Sequence, residues 1–536
     1  MASRLPAHDC YAYLMKLIMT HGYMLSGSGS NVYVQNLCRA LARTGHEVHL
    51  LCQDSRPFDY DFVDSALTAG PDGVRLIEER RTGYPGGCAV YRPEIGDLLP
   101  VYVYDKYPGW RVKTFLDLTN EEFEDYVRLN VAALQSVLAE AGDPDGLVTN
   151  HSVPGPLMAR RALGKYPELQ YVSVVHGSCL QYVARRSEFY MRVAREGLAG
   201  AARIVALSGH SAGTIAEDFP EMREKAVSLP GGVDTRLFTP ESLDRERLAS
   251  LGGGPGRGPR QENELEELLD GRPERTRELA SGLARISEGY SARAHDTDTG
   301  ERISALIQGD EPLVLYVGKL IHSKGVHSLI SAFSQLRRHR RAKLLIVGFG
   351  TFREALQALT LAIGTGDRRT AELLAAGGKL YEGGPETPME HLDLDGALSG
   401  AEGLHEDVEF TGPLEHAELA KLLPAADVAI VPSIFPETFG LVAAEFAAAG
   451  VPPFVADHSG LREAGGIVAE GLPFDTRVPV EGLASGLARA LGDYLSLPTD
   501  ERESCREQVR RNSVEYLGWE TLAQRMAELA AGLREK

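Results

Sequence analysis

The feature that most constrains this chain is a repeated alternation. Short apolar runs rich in Val, Ile and Leu each lead into a polar or glycine-rich turn, then into a stretch with helical spacing. That pattern specifies parallel strands joined by crossover helices, with both sheet faces covered. Leu14–Thr20 reads as the first strand. After a glycine/serine loop, Val34, Leu37, Cys38 and Leu41 recur at helical spacing, and Gly45 ends that helix. Val48–Cys52 is the next strand, and Thr119 with Glu122 forms a capping box for a helix reaching Ala141. Leu147–Thr149, Tyr171–Val175, Ile204–Leu207 and Val227–Leu229 complete a doubly wound domain over residues 1–232. A second series follows over 311–510: Leu313–Val317, Leu344–Val347, Val408–Phe410, Val428–Val431 and Phe454–Ala456. Residues 241–310 read as an insertion or linker, partly helical, and 351–405 as a second, glycine-rich and acidic insertion. The segment 499–532 reads as helix.

Two open α/β domains in tandem are expected to face a cleft. In such sheets ligands sit outside the carboxyl ends of the strands, so chemistry belongs in the turns after them. The chain has 536 residues, enough for two or three domains, and carries 56 Lys and Arg against 75 Asp and Glu, a net charge of −19. That balance disfavours nucleic acid and anionic membrane surfaces as partners. The six cysteines form no C-x-x-C pair, so neither a zinc site nor a disulfide framework is indicated, and a cytoplasmic setting is the expectation. The apolar stretch Tyr11–Thr20 is broken by Lys16 and reads as a strand rather than a signal peptide.

Four turns look chemical. His21-Gly22 and Ser26-Gly27-Ser28-Gly29-Ser30 join a strand to a helix, where glycine lets a ligand approach the backbone and helix N–H groups favour phosphate. Val32 stands where a dinucleotide fingerprint needs its third glycine, which disfavours a nicotinamide dehydrogenase. His176 directly follows a strand and faces the expected cleft, although on this residue alone a loop histidine satisfied by backbone reads more simply. His151 after the preceding strand is a weaker candidate still. Lys319 and Lys324 bracket a loop that opens a helix, an arrangement suited to a pyrophosphate. In Pro432–Gly450, Glu437 and Glu445 are separated by seven residues. The helical neighbours of Glu445 (Leu441, Val442, Ala448 and Ala449) are all apolar, so the carboxylate needs a hydrogen-bonding partner, and a ligand hydroxyl is a natural one. Gly440 leaves the start of that helix open to phosphate. Tyr102, Tyr104, Tyr107 and Trp110 interleave with Lys106, Arg111 and Lys113, a candidate acceptor surface although an exposed hairpin reads more simply. The pairs Asp59/Asp61, Asp296/Asp298 and Asp393/Asp395 follow no clear strand, so no metal site is expected from them. Arg337–Lys343 reads as a solvated basic face near a helix end.

Taken in order, the glycine-rich first loop, Val175-His-Gly177, Leu229-Pro-Gly-Gly-Val-Asp234 with Phe238, Gly318-Lys319 to Lys324-Gly325, Ile346-Val-Gly-Phe-Gly350, Phe410-Thr-Gly412 and Glu437 to Glu445 resemble the family 4 retaining glycosyltransferases of the GT-B fold. The resemblance implies an N-terminal acceptor domain over 1–232, a nucleotide-sugar domain over 311–510 and a final helix, 511–536, returning to the first domain. It implies that Lys319 and Lys324 hold the donor pyrophosphate, with Gly27, Gly29, Phe439, Gly440 and Leu441 also at the donor. Glu445 would accept the ribose hydroxyls. Glu437 would contact the transferred sugar and His176 would orient it, so that His176, Lys324 and Glu437 form the catalytic set. Tyr102, Lys106, Trp110 and His151 would serve the acceptor. The implied reaction moves a hexosyl group from a UDP-, GDP- or ADP-sugar to a hydroxyl of a sugar, sugar phosphate or polyol phosphate, without a metal or other cofactor. A nucleotide-sugar epimerase and a non-catalytic nucleotide-binding protein are the alternatives on the same fold. Lysine at 319, where the family often has arginine, replaces a forked donor by a point charge.

Overall fold

The computed structural model describes residues 14–103, 107, 109–241, 248–252, 262–288, 296–400 and 402–532. The chain divides into two α/β units, one running to Gly232 and resuming at Trp519, the other spanning Val233–Gly518.

The first unit is built on a nine-stranded sheet, ordered Ala226–Ser228, Arg203–Ala206, Tyr171–Val174, Gly146–Asn150, Lys16–Thr20, Glu47–Leu51, Gly87–Pro93, Ser65–Gly70, Gly73–Glu79. Only the last pair is antiparallel. Leu17, Ile18 and Met19 of the central strand have no exposed surface, as a strand covered on both faces requires. Topology runs outward on either side of Lys16–Thr20, so the switch point lies between that strand and Gly146–Asn150. The helix Asn120–Ala141 starts on the expected capping box, with both reciprocal bonds between Thr119 and Glu122 made. The strands from Ser65 to Pro93 were not legible as such. Gly73–Glu79 is an edge strand with Leu76 and Ile77 exposed, so it lacks the apolar run that marked the others.

The second unit carries a six-stranded parallel sheet, ordered Val408–Phe410, Lys343–Val347, Leu313–Val317, Val428–Val431, Pro453–Ala456, Arg477–Val478. Its switch point lies between Leu313–Val317 and Val428–Val431.

The second expected insertion, 351–405, needs correction at its start, while 241–310 is partly helical as expected. Within 351–405, the helix Arg353–Gly364 buries Ala355, Leu356, Leu359 and Ile363 directly after the strand Lys343–Val347, so it is a crossover helix of the sheet. The remainder packs on the helix Val326–Arg337. Ser331 Oγ donates to the Asp393 carbonyl at 2.7 Å and Ser334 Oγ to that of Ala397 at 2.6 Å. Within 241–310, the helices Glu262–Asp270, Thr276–Glu288 and Thr299–Leu306 belong to the second unit, and Leu279 and Ile303 are fully buried. Asp296 is not a metal candidate. It is 2% exposed and bonds Arg353 at 2.7 Å and Arg302 at 2.9 Å, so two guanidinium groups satisfy it. Nor is Arg337–Lys343 merely solvated, because Arg337 and Lys343 both pair with Asp407.

The C-terminal segment is two helices, Thr499–Leu517 and Trp519–Ala530, broken at an extended Gly518. The change of unit therefore falls at 519, not at 511. Trp519 packs edge-on against Tyr33 at 5.2 Å, and a Cβ on Gly232 would meet its indole at 2.3 Å, which fixes glycine there.

Candidate functional site

In the second unit the switch point brings together loops that are far apart in sequence. Lys324 Nζ and Glu437 Oε1, 113 residues apart, form an ion pair. Glu437 is held from several directions. Ser433 Oγ donates to its Oε1 at 2.7 Å, and its own N–H donates to Ser459 Oγ at 2.8 Å. His458 Nε2 donates to the Ser433 carbonyl at 2.6 Å, which leaves Nδ1 to accept from Ser459 Oγ at 3.0 Å. The lysine loop is tied to the same place by Ile434 N–H, which donates to the Ser323 carbonyl at 2.9 Å. Gly348 lies against this loop so closely that a Cβ would stand 1.8 Å from the Gly318 carbonyl, and Gly350 approaches Leu320 in the same way. Gly460 allows a comparable approach to Thr438, where a Cβ would stand 2.3 Å from a backbone oxygen.

Glu445 lies on the helix Leu441–Ala448 that follows Gly440. Gly440 has φ +100°, and a Cβ there would meet Leu461 at 2.4 Å. The apolar helical neighbours of Glu445 call for a hydrogen-bonding partner from elsewhere. It has one: His416 Nε2 lies 3.5 Å from its Oε1, and the carboxylate raises the His416 pKa above the ordinary imidazole value. The two sit on different elements, so the spacing around Glu445 gave no sign of the pair. Lys319 is exposed, Phe439 is buried and Leu441 is half-buried at the first helical position.

In the first unit the carboxyl ends of Lys16–Thr20 and Gly146–Asn150 present a cluster of rings. His151 lies 4.5 Å from Tyr102, 4.7 Å from His176 and 5.7 Å from His21, centroid to centroid. His176 Nε2 donates to Asn150 Oδ1 at 3.0 Å, and the Asn150 amide donates to the Thr20 carbonyl at 3.1 Å, which fixes the orientation of that amide. Nδ1 of His176 is thereby the lone-pair nitrogen. Burial lowers the pKa of His176 to about 3 and of His21 to about 4, and holds His151 well below the imidazole range. Tyr33 packs edge-on to His176 at 5.4 Å, so Trp519 supports His176 through Tyr33.

Gly27 and Gly29 precede and open the helix Gly29–Arg43, capped by Ser28, and a Cβ at either would meet open space. Tyr102 and His151 share the ring cluster. Trp110 packs beside it, against Tyr23, Leu99 and Val101, and Tyr23 itself lies 5.9 Å from His151, centroid to centroid; Lys106 lies outside the described residues. The partners that sequence reading missed are Ser433, His458, Ser459, His416, Asn150 and Asn31, which accepts from His21 Nε2 at 2.9 Å. Ser433 and the His458-Ser459 loop lie inside or beside the motifs already singled out. The others carry no common signal: Asn150 ends a strand, Asn31 lies in the first turn of the helix Gly29–Arg43, and His416 opens the helix His416–Leu422.

Comparison with known proteins matches both units to described families. The family described as "Glycosyl transferase 4-like domain" matches residues 28–232, and the family "Glycosyl transferases group 1" matches 298–370 and 396–512. The chain is 31% identical over 217 residues to a glycogen synthase of Mycobacterium tuberculosis, covering 40% of this chain and 41% of that protein. It is 33% identical over 174 residues to a D-inositol 3-phosphate glycosyltransferase of Corynebacterium urealyticum, covering 30% of this chain and 39% of that protein. The matches thus span less than half the length of these relatives. Among solved structures, a sucrose-phosphate synthase from Thermosynechococcus elongatus superposes with a TM-score of 0.54 at 21% identity, covering 97% of this chain and 99% of that one. Anabaena HepE in complex with UDP and glucose gives 0.52 at 14% identity, covering 97% and 100%. These structures share the fold. Among the described residues no helix is long and apolar enough to cross a membrane.

Proposed function

The chain belongs to family 4 of the GT-B glycosyltransferases, and from that premise we propose that it moves a hexosyl group from a nucleotide sugar to an acceptor hydroxyl with retention of anomeric configuration. The observation that carries this reading is the Lys324–Glu437 ion pair at the switch point of the second sheet, with Glu445 on the next helix. UDP bound to Anabaena HepE, and the names of the inositol 3-phosphate and sucrose-phosphate relatives, support a nucleotide sugar and a hydroxylated acceptor.

Lys324 and Lys319 balance the negative charge that grows on the leaving diphosphate. Glu445 accepts from the ribose hydroxyls, and Glu437, oriented by Ser433 and Ser459, meets the transferred sugar. Phe439, Gly440 and Leu441 offer backbone N–H groups to the donor at the start of the helix, as do Gly27 and Gly29 at theirs. Neutral His176 accepts a sugar hydroxyl at Nδ1 and orients the ring. The anomeric C–O bond to the diphosphate breaks, the acceptor oxygen bonds to the anomeric carbon on the same face, and its proton passes to the departing phosphate oxygen. No metal or other cofactor takes part, and the setting is cytoplasmic.

Incubation with UDP-, GDP- and ADP-sugars and candidate acceptors, followed by proton NMR of the first-formed product, tests the reading. A product that keeps the donor anomeric configuration supports it. Inversion, or interconversion of the sugar without transfer, overturns it.

A further inference from the structure

The loop that carries Lys324 is fastened by a part of the chain that lies outside the family match. The match to the group 1 glycosyltransferases stops at residue 370 and resumes at 396. The residues between run through most of the helix Arg368–Gly377 and the turn Gly378–Glu382 to the start of the helix Leu394–Leu398. They are seated on the helix Val326–Arg337, which directly follows the lysine loop. His327, Ser328 and Ser331 of that helix have no exposed surface, and each directs a side-chain donor to a carbonyl of the segment. His327 Nε2 donates to Glu390 at 2.8 Å, Ser328 Oγ to His391 at 3.0 Å and Ser331 Oγ to Asp393 at 2.7 Å. Buried donors need such partners, so the segment 371–395 is a built part of the unit.

One contact reaches the lysine loop itself. Glu382 Oε1 accepts the His322 N–H at 2.6 Å, across 60 residues. His322 opens the single-turn helix His322–Lys324, and the first N–H groups of a helix have no partner within it. His322 is 1% exposed, so the Glu382 carboxylate takes the place that water cannot. The His322 ring is fixed as well, stacked on His327 at 5.1 Å and edge-on to Phe352 at 5.6 Å. The turn then closes on itself: Lys324 N–H donates to the Ile321 carbonyl at 3.0 Å and Gly325 N–H to that of His322 at 3.1 Å. Lys324, paired through Nζ with Glu437, thus leaves a backbone that Glu382 anchors. A cation that stabilises a leaving group must already stand in place when the charge develops, so its anchorage bears on rate more than on binding.

We infer that the segment 371–395 braces the lysine loop and that Glu382 is a positioning residue for Lys324, acting through the His322 N–H. What Lys324 does there rests on the glycosyltransferase reading, whereas the brace rests on the contacts alone.

The test uses the full-length protein. Glu382→Leu removes the acceptor at similar size, and Glu382→Gln keeps an oxygen that can accept the same N–H. Glu382→Ser, too short to reach, repeats the loss independently should the leucine variant not fold. Thr276→Val serves as control, because Thr276 Oγ1 donates to Glu386 Oε1 at 2.6 Å, elsewhere on the same segment. Hydrogen exchange read by mass spectrometry over 319–325 is expected to quicken about fivefold or more in Glu382→Leu and Glu382→Ser, and to stay at the parent rate in Glu382→Gln and Thr276→Val. Single-turnover transfer from a UDP-sugar should fall about tenfold in the first two variants, with UDP affinity within about twofold of the parent, and recover in Glu382→Gln. In a Lys324→Ala background the same Glu382→Leu change should cost nothing further, as two residues acting through one group require. Parent-like exchange over 319–325 in Glu382→Leu overturns the brace. An equal loss of transfer in Thr276→Val, an undiminished loss in the Lys324→Ala background, or quickened exchange with parent-like transfer overturns the positioning role. UDP binding and transfer by the parent are read separately. Their absence would remove the glycosyltransferase reading, and the exchange rates would still decide the brace.

Discussion

The two switch points occupy equivalent places in their sheets and have opposite chemistry. In the second unit the functional groups are charged, and the protein pairs them with one another: Lys324 with Glu437, Glu445 with His416. In the first unit they are uncharged, and several are paired with nothing: Thr20 Oγ1, Gln53 Oε1 and His151. A charged group left alone in a partly buried site is costly, so it is held in reserve by a counter-ion until a ligand exchanges with it. A neutral donor or acceptor carries a smaller penalty and can wait empty. Under the proposed function, the charged switch point is the one suited to a nucleotide diphosphate.

The strongest way to break that contrast is to remove the cation. Lys324→Ala should lower single-turnover transfer by about 10²–10³-fold, because charge on the leaving phosphate grows toward the transition state. UDP affinity should fall by less, and the melting temperature should move little, since Glu437 keeps its bonds to Ser433 and to the Ser459 loop. If affinity and turnover fall together, the lysine binds ground state and transition state alike. If only the melting temperature falls, the pair is structural and the second switch point is not where the charge develops.

A second prediction concerns the neutral side. His21 and His176 have folded pKa values of about 4 and about 3, below the ordinary 6.5, and His151 moves the same way. Below pH 6.5 the unfolded chain takes up protons that the folded chain refuses. Their contribution to stability is therefore complete above 6.5 and is lost as pH falls toward 4 and 3. The slope is at most about 1.4 kcal/mol per pH unit for each histidine. Between pH 6.5 and 5 this precedes most carboxylate titration. Thermal melting at pH 7, 6 and 5 should show a progressive fall, and His176→Asn should flatten it. A level profile in the parent protein would mean that these rings are solvated and that the first site is not a dry, neutral cluster of rings.

How far the sequence disclosed this contrast depends on charge. Lys319, Lys324, Glu437 and Glu445 stood out because a charge beside a strand end or on an apolar helix is conspicuous. The strands that carry them were read to within a residue or two, for instance Val428–Val431 and Leu313–Val317. The partners did not stand out. Ser433 is four residues from Glu437, but Ser459 is 22 residues from it and Lys324 is 113, distances that only the sheet topology closes. Gln53 and Thr20 are ordinary residues at strand ends, and nothing local marks an atom as unpaired. The helix Arg353–Gly364 was hidden for another reason: it lies between glycine-rich stretches whose composition drew attention away from its buried periodicity.

A smaller effect sharpens the comparison at Glu445. Glu445→Gln keeps the size of the side chain and one acceptor oxygen but removes the charge. A charge-assisted bond to a ribose hydroxyl gives way to a neutral one, a difference of about 1 kcal/mol, so UDP affinity should fall roughly fivefold. In the same variant the His416 pKa should drop toward 6.5, because the carboxylate is the first cause of its rise. Calorimetry and histidine NMR titration read the two effects independently. A lowered His416 pKa with unchanged UDP affinity would leave Glu445 as the partner of His416 alone.

The smallest expected effect is none at all, and it bears on whether the charge of the second site suffices. On the proposed function, Lys319, Lys324 and the start of the helix Leu441–Ala448 supply positive charge for the leaving diphosphate. The carboxylates that would compete for a divalent cation are committed elsewhere. Asp296 is held by two arginines, Asp61 pairs with Arg39, and Asp393 caps the helix Leu394–Leu398 by accepting the Gly396 N–H at 2.9 Å. Among the described residues no group of three or more His, Cys, Asp or Glu side chains is arranged to hold a metal ion. Transfer rates with and without excess chelator should therefore agree within about twofold, since a site already neutralised by fixed cations gains little from another. Loss of turnover restored only by magnesium or manganese would mean that the lysines do not carry the leaving group. The charged switch point would then be incomplete as built, and its contrast with the neutral one would lie in what each must recruit.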